Sequence, residues 1–124
     1  MPHLPPTQPD AEKIREFLTE AYSEFNGRRM EAVLARMQPD VDWPNGLEGG
    51  RVKGRDGVRV YWKRQWSLID PTLEPIKIDI DSEGKAKVRV HMVIRDLQGN
   101  VERDCVVHNI YTFRDGLIDH MEIV

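Results

Sequence analysis

Apolar residues recur along the first part of the chain with the period of a helix. Ile14, Phe17, Leu18, Ala21, Tyr22 and Phe25 fall at i, i+3, i+4, i+7, i+8 and i+11, one face of a long amphipathic helix. Asp10 stands where an N-cap belongs, Glu12 complements the dipole in the first turn, and Asn26-Gly27 tolerate the positive φ of a helix end. Met30, Val33, Leu34 and Met37 repeat the spacing over a shorter second helix, which Pro39 stops. Asp40 to Pro44 reads as a short strand, followed by a loop through Asn45-Gly46 and Gly49-Gly50. Gly54 opens a third helix with Val58, Tyr61, Trp62, Trp66 and Ile69 mainly on one side, and Pro71 closes it.

Beyond Pro71 the period changes to two. Ile76, Ile78 and Ile80 alternate with Lys77, Asp79 and Asp81, and Val88, Val90, Met92 and Ile94 alternate with Arg89, His91 and Arg95. Turns are expected at Ser82-Glu83-Gly84, around Gln98-Gly99-Asn100 and at Arg114-Asp115-Gly116, with strands over Cys105 to Phe113 and Ile118 to Val124. The predicted order is α-α-β-α-β-β-β-β. Helices segregated ahead of an antiparallel meander define an α+β domain, with helices packed on one face of the sheet. Residues 1–9 carry four prolines and read as a loose tail, leaving 10–124 as the domain.

Composition narrows the function classes. A chain of 124 residues suits one domain with a core that needs no staple. Eighteen basic against 21 acidic residues lack the basic excess of a nucleic-acid binder. No apolar run approaches the ~18 residues of a membrane span, and the first residues lack the pattern of a signal peptide. The single cysteine, Cys105, excludes an internal disulfide and fits a reducing, cytoplasmic setting.

Three phrases carry a family resemblance. They are Asp40-Val41-Asp42-Trp43-Pro44-Asn45, Gly54-Arg55-Asp56-Gly57-Val58 running on to Trp62, and Tyr111-Thr112-Phe113-Arg114-Asp115-Gly116-Leu117-Ile118. In this order and spacing, the chain from about residue 10 resembles the nuclear transport factor 2-like superfamily, especially its SnoaL-like branch. The resemblance implies a cone: a curved sheet wrapped around the long first helix, with an apolar cavity open at one end. Relatives of this kind include isomerases, cyclases, dehydratases, epoxide hydrolases and non-catalytic modules, so fold alone does not fix function.

The resemblance also implies positions for steroid-isomerase chemistry. Its carboxylate base falls on Asn45 and its oxyanion-binding aspartic acid on Asn109. Its tyrosine falls on Ala21, with Tyr22 one residue away and turned by ~100°. An amide has no proton-accepting pKa near neutrality, so that isomerase mechanism is not expected, although Asn109 can still donate to an oxyanion.

Alternation supplies further candidates. If Phe113 points inward, so do Tyr111, Asn109, Val107 and Cys105. Inward Met121 and Ile123 bring Asp119 with them, and a three-residue turn sets Asp119 opposite Tyr111. A one-residue slip presents His120 and Glu122 instead. Asp119, Tyr111 and Asn109 are thus the catalytic candidates, with Asp119 otherwise a rim carboxylate. Tyr22, Trp43, Asn45, Trp62, Val90, Met92, Asn109, Tyr111 and Met121 are the expected ligand contacts, with core packing the competing role for Trp62.

Other clusters are less specific. A two-residue Gly99-Asn100 turn would set His91 across from His108 on the outer face, yet no third ligand for zinc is evident and no metal is expected. Arg55, Arg59 and Lys63 form a stripe within a basic group that includes Arg51, Lys53 and Arg64, either a solvated face or a rim for anionic substrates. Asp79-Ile80-Asp81 lacks calcium-loop spacing, and no phosphate loop, catalytic triad or nucleotide motif is present, so no cofactor is expected. The expected partner is a small apolar or aromatic molecule, with neither nucleic acid nor membrane. Two uses remain open: cofactor-free isomerase, cyclase or lyase chemistry, or non-catalytic binding. A homodimer through the outer sheet face (Arg89, His91, Val93, Val106, His108, Ile110) is compatible with both.

Overall fold

The computed structural model describes residues 11–124; the expected tail and the Asp10 cap lie outside the described residues. Helix α1, Ala11–Asn26, buries Leu18, Ala21, Tyr22 and Phe25 along the predicted stripe. Its end differs in detail, because Arg28 rather than Asn26 or Gly27 takes positive φ, at 61°. The Asn26 side chain instead exchanges two hydrogen bonds with the Leu73 backbone, at 2.7 and 2.9 Å. Those bonds tie the helix to the sheet.

Helix α2 is confined to Met30–Leu34, and strand β1 already begins at Met37 in Met37–Pro44. The helical spacing of Met37 was a coincidence of burial: its side chain is fully buried, but from a strand. Met37 pairs in parallel with Ile118, and the Ile118 amide donates to the Arg36 carbonyl at 2.8 Å. Pro39 therefore sits inside a strand. The loop expected after β1 contains another short strand, β2, Arg51–Lys53, antiparallel to β1.

Helix α3, Gly54–Leu68, buries Val58, Tyr61 and Trp62 as its stripe predicts. Ile69 is already extended, and strand β3, Asp70–Ile80, takes in Pro71 and Pro75. Strands β4, Ala86–Arg95, β5, Val101–Arg114, and β6, Leu117–Ile123, complete a six-stranded sheet ordered β2-β1-β6-β5-β4-β3. The four-strand meander stands as expected. The β1–β6 pair is parallel, which makes the whole sheet mixed.

Two of the sheet's bulges change the expected inward set. On β3, Pro75 faces Val90 and Lys77 faces Arg89, so Ile76 is the extra residue and is 54% exposed, whereas Ile78 and Ile80 are half-buried against the core. On β6, Ile118 faces Phe113 and His120 faces Thr112, leaving Asp119 as the extra residue. The preceding turn contains two residues rather than three: Arg114 pairs with Leu117 around Asp115 (φ 52°) and Gly116 (φ 79°). Together these shifts set Met121, not Asp119, opposite Tyr111.

The β4–β5 hairpin is also shifted from expectation. Asp96 accepts hydrogen bonds from the Gln98 and Asn100 amides, both at 2.9 Å, and builds a longer turn than Gly99-Asn100 alone. His91 consequently faces Val106, and His108 faces Arg89. The expected histidine pair is not formed, and His91 lies 2.7 Å from Asp104 instead.

Candidate functional site

The sheet curves, and its inner face together with α1 and α3 encloses a cavity of about 610 Å³. Its deep wall is aromatic. Trp43 on β1 lies edge-on to Trp62 of α3 at 5.7 Å, Trp62 stacks on Trp66 at 5.7 Å, and Phe25 of α1 meets both α3 tryptophans at 5.3 Å. Trp43 and Trp62 border the cavity while Trp66 packs behind them, so Trp62 serves core and wall at once. The exposed members of the lining, Gly46, Arg51, Arg103, Glu122 and Ile123, mark the mouth.

Three polar side chains meet among these rings. Asn109 and Tyr111 point inward from β5, as alternation predicts, and each is only 4% exposed. Tyr22 reaches them from α1. Its hydroxyl oxygen accepts a hydrogen bond from Asn109 Nδ2 at 2.9 Å and another from the Tyr111 hydroxyl at 2.7 Å. Tyr22, not the neighbouring Ala21, therefore supplies the cavity phenol, although Ala21 also borders the space. Asn109 Oδ1 is buried without a partner among the described residues.

Burial dominates the acidity of this cluster. It pushes Tyr22 up to about 12 despite the donors Tyr111 and Asn109, which pull the other way. Tyr111 is raised well above an ordinary phenol by burial and by the neighbouring Tyr22. Both hydroxyls keep their protons at neutral pH. With two donors already on its oxygen, Tyr22 has its own hydrogen available for an acceptor in the cavity.

The other expected contacts divide. Met92 and Met121 border the cavity. Val90 points inward and is fully buried, but it packs in the core outside the cavity lining. Asn45 borders the cavity near the mouth, where its Oδ1 accepts the Leu47 and Glu48 amides at 3.1 and 2.8 Å and organises the loop after β1. Asp119 lies outside the lining. Its carboxylate accepts from Arg114 Nε at 3.1 Å, and Arg114 also bonds Asp40. The expected Asp119–Tyr111 pair is thus corrected by the bulge, which turns this carboxylate to a surface ion pair.

The basic group is mostly occupied in structural contacts. Arg55 donates to the Met37 carbonyl at 2.9 and 2.6 Å, Arg59 bonds Glu31 and Asp56, and Arg64 meets Glu48. Only Arg51 of this group borders the cavity, where it bridges Asp42 and the Met121 carbonyl. Among the lining residues that the pattern does not mark as contacts are two polar side chains of α3: Tyr61, which the apolar stripe gives only a core role, and Gln65. The spacing of Tyr61 and Gln65, one helical turn apart, was the available signal.

A profile of the SnoaL-like domain matches residues 10–121. The chain belongs to the SnoaL-like domain family. Among solved structures, this SnoaL-like chain is similar to TerC, co-crystallised with polyporic acid, at 25% identity and TM-score 0.76, over 88% of each chain. It is similar to an NTF2-like protein of unknown function from Burkholderia pseudomallei at 24% identity and TM-score 0.77, over 89% of this chain and 88% of that one. A third likeness is to SalBIII, an epoxide hydrolase/cyclase-like enzyme in pyran ring formation in the polyether salinomycin. It has 18% identity and TM-score 0.78, over 92% of this chain and 91% of that one. No curated protein matches the chain significantly. The SnoaL-like fold accounts for the cavity; the residues described above decide what the cavity can do.

Proposed function

We propose that this SnoaL-like protein takes a small, mostly apolar ring compound into its cavity and holds a carbonyl or enol oxygen of that compound against Tyr22. The observation that carries this reading is the doubly accepting Tyr22 hydroxyl, whose hydrogen bonds from Asn109 and Tyr111 leave its own proton for the guest. The aromatic wall suits a flat body, and a buried neutral donor suits an oxygen that gains negative charge. Cofactor-free chemistry through an enolate, of the isomerase, cyclase or lyase kind, is the reaction class such a donor serves. It also requires a proton acceptor; Glu122, the one carboxylate among the described lining residues, lies across from Ile110 on the outward register and meets His120 at 3.0 Å, so the acceptor would be solvent admitted at the mouth.

A second reading is non-catalytic binding, favoured by the deep wall, where the polar groups near Tyr22 are an amide and a phenol. Exchange of the α-protons of 2-tetralone in heavy water, followed by NMR, separates the two. Protein-dependent exchange that falls at least tenfold in Tyr22→Phe supports enolate chemistry. Saturable binding of 2-tetralone without exchange assigns the protein to binding alone. Polyporic acid, found with TerC, is a second probe for the same cavity.

A further inference from the structure

Tyr61 repeats the arrangement at Tyr22 at another point of the same cavity. It lies on α3 with its side chain 7% exposed. Its hydroxyl oxygen accepts the Gly46 amide at 3.1 Å and Gln65 Nε2 at 3.0 Å. Among the described residues no group accepts the Tyr61 hydrogen. Burial raises Tyr61 above an ordinary phenol, while the Gly46 and Leu47 amides pull it down, so its proton stays in place at neutral pH. Gly46 belongs to the exposed mouth, whereas Tyr22 sits on the deep wall with Asn109 and Tyr111. The cavity thus carries two phenolic donors on different elements, one held by Asn109 and Tyr111 of β5 and one held by the Gly46 amide of the exposed loop after β1.

We propose that Tyr61 is a specificity-determining residue: it donates to a second acceptor oxygen, so the preferred guest is an apolar body with a carbonyl or ether oxygen at each end. The physical reason is pairing. A guest with one oxygen leaves a desolvated O–H without an acceptor at one end of the cavity, and a guest with two satisfies both. A strongly cationic or donor-rich guest is disfavoured for the same reason. This inference rests on the reading that Tyr22 holds a guest oxygen.

The test uses one ring system with two, one or no ketones: 2,6-diacetylnaphthalene, 2-acetylnaphthalene and 2-ethylnaphthalene. Titration calorimetry of the unaltered protein should rank them in that order, the diketone binding about three- to tenfold tighter than the monoketone, the range one net hydrogen bond supplies. In Tyr61→Phe the diketone advantage should disappear while monoketone affinity persists. Tyr22→Phe should weaken both ketones. Infrared spectra of the diketone bound to the unaltered protein need no variant to fold, and both carbonyl stretches should move to lower wavenumber. One unshifted carbonyl, or a diketone advantage that survives in Tyr61→Phe, overturns the role of Tyr61 and leaves the Tyr22 reading intact. Equal binding of all three compounds, or binding of none, overturns both.

Discussion

The hydroxyls of Tyr22 and Tyr111, 89 positions apart in the chain, lie 2.7 Å from each other inside the domain. One comes from the helix that the sheet wraps and the other from β5, an inner strand of the meander. Their rings meet edge to face at 6.3 Å, and the contact fixes how α1 sits against β5.

Replacing the two tyrosines should have unequal effects. Tyr22→Phe strands both the Asn109 amide and the Tyr111 hydroxyl, and should cost about 1–3 kcal/mol of stability, the range for unsatisfied buried groups. Tyr111→Phe removes one donor and leaves Tyr22 with Asn109, so a loss of about 0.5–1.5 kcal/mol is expected. Urea unfolding measures both. Equal losses would show that Tyr22 is not the centre of the cluster.

The chain has three tyrosines, Tyr22, Tyr61 and Tyr111, and each is raised by burial. Phenolate absorbance at 295 nm should therefore remain largely absent at pH 10, where a free phenol is half ionised. In this raised-pKa case the unfolded chain loses its phenolic protons first. Stability is unaffected below about pH 10 and then falls by up to about 1.4 kcal/mol per pH unit for each tyrosine, for Tyr22 until about pH 12. Ordinary half-ionisation of the folded protein at pH 10 would contradict the burial of these rings.

Gly54 begins α3 with φ at 75°, and a Cβ there would stand 3.1 Å from the Pro39 carbonyl oxygen. Gly54→Ala should lower stability by about 1–2 kcal/mol, because an L side chain pays that much in the left-handed region. Thermal unfolding reads the loss, and an unchanged midpoint would show that the β2–α3 junction relaxes freely.

Asp119 tests the bulge. Its carboxylate is paired with Arg114, and the two side chains are 34% and 47% exposed. Asp119→Asn should change stability by no more than about 1 kcal/mol, as expected of a solvated ion pair. It should leave the affinity for 2-acetylnaphthalene unaltered. A loss of affinity of tenfold or more would place this carboxylate in the cavity after all.

We propose that the outer face of the sheet meets a second copy of the chain. Lys87, Ile110 and Glu122 lie in one row across β4, β5 and β6. A two-fold axis along β5 sets the lysine of one copy over the glutamate of the other, with Ile110 between them, an isologous match of charge and apolar surface. Sedimentation should give a dimer that Ile110→Lys converts to monomer. A monomer at every concentration of the unaltered chain removes the proposal.

The sequence by itself determined the helices' buried stripes, the meander and the inward set Asn109 and Tyr111, because periods of 3.6 and 2 are written locally. It determined equally that Asn45 is no base, since that follows from side-chain chemistry. Tertiary structure decided the rest. Met37 satisfies a helical spacing, yet pairing with Ile118 drew it into the sheet. Asp119 shares parity with Met121 until a bulge removes it, and His91 misses His108 because Asp96 lengthens a turn. Val90 has the right parity but packs outside the reach of the cavity. Tyr61 looks like any core residue of an amphipathic helix until the Gly46 amide is brought against its hydroxyl. Register, bulges and which buried hydroxyl keeps a spare hydrogen depend on partners distant in the chain, and no local pattern carries that information.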